Sequence, residues 1–346
     1  MSQRYRSLNR TMREIFGFPV RKVSLKVPFS CPNLDGTVAF GGCTFCNTES
    51  IRGLTFERGM SIGAQLEAGI AHMERRFRNT SRYIAYFQEF SNTYAPLPRL
   101  RRLYAEALRH PKVIGIAVGT RPDCVPEPVL DLFVEIARTH HVFLEYGLQS
   151  AHDTTLDAIN RGHHFRDFED AVIRTKRRGL PICAHVILGL PGETLEMMRA
   201  TARALVDLEV EAVKIHNLHV VRNTLLARQY AAGEYTPLDE ATYIEILIDF
   251  LEHLSPAMVI ERLVAAGPKE TMVAPEWCIH KFEVLARITA QLDHRDTWQG
   301  KALGHPREAL DAPVGGAYIA SRRGDEGTRT EDIKPRMYDR GDGGLG

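Results

Sequence analysis

Three cysteines crowd one short stretch of this chain. Residues 31–46, CPNLDGTVAFGGCTFC, hold Cys31, Cys43 and Cys46, half of the six cysteines in the protein. Cys43 and Cys46 form a Cys-x-x-Cys pair, and eleven residues separate them from Cys31. Pro32, Asp35, Gly41 and Gly42 mark the stretch as a loop, a poor setting for buried structural thiols. Thiols gathered in a loop point to a metal centre or a nucleophile. Three thiolates can hold three irons of a [4Fe–4S] cube, and the fourth iron then stays free to bind something else. The competing reading is a tetrahedral zinc ion with a histidine as fourth ligand. No second Cys-x-x-Cys or paired-histidine motif with finger spacing follows, which weakens it. Cys124, Cys183 and Cys278 are scattered through apolar or turn contexts and read as structural.

Such a loop needs a scaffold. Apolar, β-rich runs recur along the chain: KVSLKV (22–27), YIAYF (83–87), VIGIAV (113–118), VFLEYG (142–147), ICAHVIL (182–188), AVKIHNL (212–218) and MVIERLV (258–264). Most are continuously apolar, as strands buried on both faces of a parallel sheet are. Helical patterns lie between them. Ile62, Leu66, Ile70, Met73 and Phe77 make one stripe, Thr194 is placed to cap a helix, and Gly179 to stop one. Six or seven such units of about thirty residues predict right-handed βα repeats. The expected fold is α/β, a partial (β/α)6 TIM-like barrel with its chemistry at the C-terminal strand ends. The expected organisation is a basic N-terminal arm over 1–16, a barrel over 17–256 and a closing segment over 257–300. The tail, 301–346, is read as disordered because it carries nine of the 27 glycines and few large apolar side chains.

A net charge of +1 gives the whole molecule no bias toward acidic partners. No apolar run reaches the length of a membrane span, and the arginine-rich N-terminus lacks the apolar region of a secretory signal. A cytoplasmic, reducing compartment is the expectation, where clustered cysteines bind metal more often than they form disulfides.

Taken with the motifs downstream, the Cys-x(11)-Cys-x(2)-Cys loop resembles that of radical S-adenosylmethionine (SAM) enzymes. Within them it is similar to a bacterial group related to the radical-SAM part of the elongator protein Elp3. The likeness runs from about residue 17 to 300 and rests on several motifs together. It implies that Cys31, Cys43 and Cys46 hold a [4Fe–4S] cluster, with the aromatic Phe45 before the last thiol and SAM on the free iron. Reductive cleavage of SAM would give a 5′-deoxyadenosyl radical that takes hydrogen from a substrate. By position, YFQEFSNTYAP (86–96) corresponds to the motif that binds the SAM amino group, with Gln88, Ser91 and Asn92 as candidates. The usual Gly-Gly-Glu is absent there. In LEYGLQSAHDTTLDAINRGHH (144–164), Gln149 and Ser150 would lie near the ribose and Arg161 would reach the carboxylate. Gly189 of HVILGLPGET would allow close approach of the adenine. Arg121 of GTRPDC, Glu145, Lys214 and His216, and Arg262 and Lys269 of the closing segment, are the candidates for substrate contact or catalysis.

Elp3-like relatives act on tRNA wobble uridines, so tRNA is the leading expectation for the substrate. An external donor of flavodoxin or ferredoxin type would supply the electron, and no membrane partner is expected. Arginine clusters such as Arg4, Arg6, Arg10 and Arg13, or Lys176, Arg177 and Arg178, could follow a phosphate backbone. The same clusters read equally well as solvated helix faces. A radical SAM enzyme on a small metabolite and a non-catalytic iron–sulfur or zinc RNA-binding protein are the alternatives.

Overall fold

The computed structural model describes residues 3–46, 59–77, 79–267, 269–313 and 318. The chain opens with helix α1 (Leu8–Phe16) and strand β1 (Val20–Leu25). Helix–strand units follow: α2 (Ile62–Arg76) with β2 (Arg82–Phe87), α3 (Leu97–Leu108) with β3 (Val113–Thr120), and α4 (Glu127–Ala137) with β4 (His141–Gln149). Helices α5 (Asp153–Ala158) and α6 (Phe165–Lys176) lead to β5 (Ile182–Leu188), and α7 (Leu195–Asp207) leads to β6 (Ala212–Asn217). Next come β7 (Val220–Val221), α8 (Leu225–Ala231), α9 (Glu240–Glu252) and β8 (Val259–Arg262). Finally β9 (Met272–Ala274) pairs with β7, and α10 (Lys281–His294) covers the end.

Seven strands lie side by side in the order β1-β2-β3-β4-β5-β6-β8, all parallel. The expected six-strand core gains a seventh from MVIERLV, inside the stretch expected to close the barrel. The sheet curls into a half-barrel. Its two edge strands approach each other across the inside, where Lys22 on β1 pairs with Glu261 on β8 at 2.6 Å. Alternation sorts each strand: on β4, Leu144, Tyr146 and Leu148 pack outward against the helices, while Phe143 and Glu145 face the lumen. The α2 stripe falls as expected, with Leu66 and Ile70 buried against the sheet. Each such side chain contributes about 1.5–3 kcal/mol of transfer free energy. Thr194 caps α7 by accepting from the Met197 amide, and Gly179 takes the left-handed conformation just past α6.

The basic N-terminal arm expected over 1–16 packs onto the barrel. Ser7 bridges Ile260 beside β8, and Met12 of α1 sits in an apolar plug with Val20, Phe143, Val259 and Tyr318 that seals the N-terminal end of the lumen. Arg6 is buried and donates to the carbonyls of Pro256, Ala309 and Ala312. Arg4 pairs with Asp293 and Asp296, and Arg10 with Glu14 and Asp311. Residues 301–313 depart from the disorder expected of them: Lys301–Leu303 and Arg307–Asp311 are short 3-10 turns and Leu310 is buried. Residues 314–317 and 319–346 lie outside the described residues. Among the described residues no helix is long and apolar enough to cross a membrane.

Candidate active site

With its N-terminal end plugged, the half-barrel opens at the C-terminal ends of its strands. A cleft of about 150 Å³ lies there, and Cys31, Cys43 and Cys46 all line it. None of the three is in a disulfide. Burial pushes the Cys31 thiol up, and burial with the two neighbouring sulfurs pushes Cys46 up to about 12. A thiol so placed holds its proton unless a metal displaces it.

The cysteine loop is fixed from outside itself. Thr44 donates its amide to the Ile159 carbonyl, and the Thr44 carbonyl accepts from Leu226 at the start of α8. Asn160 donates to the carbonyl of Gly42, and the Asn33 amide reaches back to the Asn160 carbonyl and toward the Cys43 sulfur. Phe45 packs into an apolar cluster with Leu156, Ile159 and Leu226, so it anchors the loop. Gly162 has φ +71°, and a Cβ there would strike Asn33 and Val38. This is the physical reason for glycine in the Arg-Gly-His motif: the cysteine loop lies against it.

Arg161 crosses the cleft floor. One terminal nitrogen donates to the Cys43 sulfur at 3.5 Å and the other to the Gly147 carbonyl at 2.6 Å. A Cβ on Gly147 would come within 2.6 Å of that guanidinium, so the Glu-x-Gly-x-Gln segment leaves room for it. Arg121 stands beside it, fully buried. Burial opposes its charge, yet two hydrogen bonds to Asp123 at 2.9 and 2.8 Å hold it protonated, and a third goes to the Arg161 carbonyl. Gln88 and Gln149 complete this wall. Gln149 sits at φ +76°, an uncommon conformation for a residue with a side chain.

Other expected residues are brought elsewhere. Ser91 and Asn92 do not line the cleft: Ser91 is bonded to Thr120, and Asn92 donates to the Gly119 carbonyl, bracing the end of β2 on β3. Ser150 donates to Glu193 and accepts from the His152 amide, closing a turn. Gly189 does have a neighbour where its Cβ would be, but it is Leu238 at 2.8 Å, not open space for a ring. Lys269 is exposed in a turn.

At the base of the cleft, which Glu145 and His185 help to line, is a buried ionic layer. Glu145 accepts from Lys22, Tyr86 and His185 at 2.6 Å each, and from Lys214. Glu261 accepts from Lys22 and from the Tyr318 hydroxyl. Burial disfavours the Glu145 carboxylate, but Lys214 and Lys22 outweigh it and hold its pKa well below the usual range. His185, by contrast, is driven down to about 4, first by burial and then by Lys214. A neutral His185 must donate its Nε2 proton to Glu145 and keep Nδ1 as an acceptor. Glu145 and Lys214, expected to meet substrate, therefore neutralise each other. Lys22, Tyr86, His185 and Glu261 were not singled out in the sequence. The signal for the first three was period-two alternation: Lys22 with Ser24, Tyr86 with Gln88, and Cys183 with His185 and Ile187.

The fit to an iron–sulfur cube rests on this donor set. Three free thiols share one cleft, and the Arg161 Nε and Asn33 Oδ1 beside them are buried without partners. Among the described residues no three His, Cys, Asp or Glu side chains form a single-ion site. Thiols spread around a cleft suit a cube, whose irons sit at separate corners, better than one zinc ion.

Comparison with known proteins bears this out. Residues 39–205 match the radical SAM superfamily model, and residues 210–294 match the radical SAM C-terminal domain. Protein YtqA of Bacillus subtilis is 39% identical over 299 residues, covering 86% of this chain and 92% of YtqA. The chain belongs to the radical SAM superfamily. It is thus an enzyme whose cofactors are a [4Fe–4S] cluster and SAM, and it needs a reductant. Cys31 lies just before the matched span, and Cys43 and Cys46 lie inside it. The tRNA uridine(34) acetyltransferase of Methanocaldococcus jannaschii is 28% identical over 151 residues, 43% of this chain and 27% of that protein. The solved Methanocaldococcus infernus Elp3, lacking its first 46 residues, shares the fold: TM-score 0.61 at 18% identity, over 81% of this chain and 64% of that one.

Proposed function

We propose that this radical SAM enzyme takes hydrogen from a modification intermediate on a tRNA wobble uridine. The observation that carries the reading is the sequence match to a tRNA uridine(34) acetyltransferase, which spans 43% of this chain. The likeness of the fold to Elp3 supports it. Cys31, Cys43 and Cys46 would hold the cluster. Arg161, with a free Nε at the thiols, would take the SAM carboxylate, and Gln88 and Gln149 would flank the bound molecule. When bound, the pair supplies one-electron cleavage of a sulfonium and hence a 5′-deoxyadenosyl radical. The chain's own task is to orient and to exclude water. The plug of Met12, Phe143 and Tyr318 closes the lumen from below, so the reacting atoms meet solvent only at the mouth.

The arginine clusters give this reading little support. Arg4, Arg6, Arg10 and Arg178 are engaged by carboxylates or carbonyls within the chain. Exposed cations such as Arg102, Arg109 and Arg177 remain for a polyanion.

The test is anaerobic assay of iron-loaded protein with SAM, dithionite and bulk tRNA. Release of 5′-deoxyadenosine should rise about tenfold or more over the tRNA-free rate, and Cys43→Ser should abolish it. Tracts of undermodified tRNA from a strain lacking the gene should show an altered wobble nucleoside. No release under any condition would refute the radical reading. Stimulation by a small-molecule extract but not by tRNA would transfer it to a metabolite.

A further inference from the structure

One corner of the lumen is built differently from the rest. It lies beyond His185, which lines the cysteine cleft and whose ring centre is 5.4 Å from that of His216. Arg262 ends β8, beside Lys214 on β6. The ladder pairs Val213 with Ile260 and then Lys214 with Arg262, so it steps over Glu261. That slip lets two consecutive residues serve the inner face: Glu261 joins the ionic layer, and Arg262 rises above it toward His216. Lys281, the first residue of α10, is the other cation here. Arg262 is among the positive charges that bear on Lys281, His216, His219 and Lys214.

Among the described residues, neither the Arg262 nor the Lys281 side chain makes a hydrogen bond or ion pair, although both are half-buried. The carboxylates of the ionic layer are already engaged. Glu145 is taken by Lys22, Lys214, Tyr86 and His185, and Glu261 by Lys22, Lys214 and Tyr318. The Nε2 of His216 is buried without a partner. Two sheltered cations without a counter-charge and an orphaned imidazole nitrogen are costly to keep. The cost disappears when an anion with oxygen acceptors enters: it pairs with both cations and accepts from the imidazole.

We propose that Arg262, Lys281 and His216 form the docking point for an oxyanion of the substrate, a carboxylate or a phosphate. The inference rests on the reading that substrate enters this lumen. Held there, the substrate would reach across His185 toward the thiols, so its anionic group sets which of its hydrogens faces the cleft. Position, not attack, is the role of these three residues.

Full-length protein is titrated with inorganic phosphate and, separately, with acetate, followed by thermal shift and calorimetry without SAM or reductant. Wild type should bind at least one of the two, and Arg262→Gln and Lys281→Gln should each weaken binding about tenfold, about 1.4 kcal/mol. The exposed Arg203→Gln, whose arginine is already paired with Glu196, should bind like wild type, and iron content per chain should match in all samples. Phosphate binding alone identifies a phosphate group on the substrate, and acetate binding alone identifies a carboxylate. No binding of either, or equal binding by wild type and both lumen variants, overturns the proposal. Because no radical chemistry enters this measurement, an absence of 5′-deoxyadenosine release would sink the proposed function and leave the anion site to be judged by itself.

Discussion

The floor and the mouth of this lumen lie one above the other, yet they follow opposite rules. On the floor, Lys22, Lys214, Glu145 and Glu261 are buried two against two, and Tyr86, His185 and Tyr318 take up further lone pairs. At the mouth, Arg161 Nε, Asn33 Oδ1 and His216 Nε2 are buried and unmatched, and Arg262 and Lys281 lack a counter-ion among the described residues. A closed ionic layer holds seven strands in one geometry. An unfinished one is shaped for something that arrives later. The general lesson is that burial of charge does not by itself mark a site. The marker is burial without a partner.

The largest effect should come from breaking the floor. Glu145→Gln removes one charge and leaves Lys22 and Lys214 facing each other with Glu261 alone. Loss of one partner from a buried ionic set costs about 3–5 kcal/mol, read as a lower urea midpoint at unchanged slope. A change under about 1 kcal/mol would show that the layer is wetter and less coupled than its geometry implies.

Acid should act next, through histidines kept neutral. His185 has its pKa lowered to about 4, first by burial and then by Lys214, and burial followed by Arg161 takes His163 to about 2. The unfolded chain protonates both near 6.5. Between that value and the folded ones the unfolded state binds more protons, so stability is complete above pH 6.5 and is lost as pH falls. From pH 7 to pH 5 each should cost roughly 2 kcal/mol. Urea midpoints at the two pH values measure this, and His163→Gln should flatten the dependence. Equal midpoints would mean that these histidines are charged in the fold.

The smallest change probes the mouth. Arg161→Lys keeps the charge but cannot span Cys43 and Gly147 together. The affinity of iron-loaded protein for SAM, by equilibrium dialysis, should fall about tenfold, with stability altered by less than the floor variant. Unchanged affinity would remove Arg161 from the cofactor site and blur the contrast between the two layers.

Parts of this contrast were legible in the sequence. The thiols were, because a Cys-x-x-Cys pair in a Gly-rich loop has few other uses. So was Arg161, through its motif, and so were the strands, whose apolar runs are too continuous for one-sided sheets. Ser91, Asn92 and Ser150 suit a ligand by type and place, while the fold engages them as braces between neighbouring loops. A hydroxyl or amide does not declare in sequence whether its partner is backbone or ligand. Lys22 and Glu261 escaped notice for another reason: each looks like an ordinary polar interruption in an apolar strand.

Order along the chain thus determined the cysteine loop, the strand–helix rhythm and the alternation that assigns each side chain to a face, because all three depend on residues close together. Which charges meet was decided only by the curl of the sheet. It pairs Lys22 of β1 with Glu261 of β8 at 2.6 Å across some 240 residues of sequence, and leaves Arg262 without a partner among the described residues. Pairing of charges is a matter of distance in space, and sequence spacing does not carry that distance until the barrel has closed.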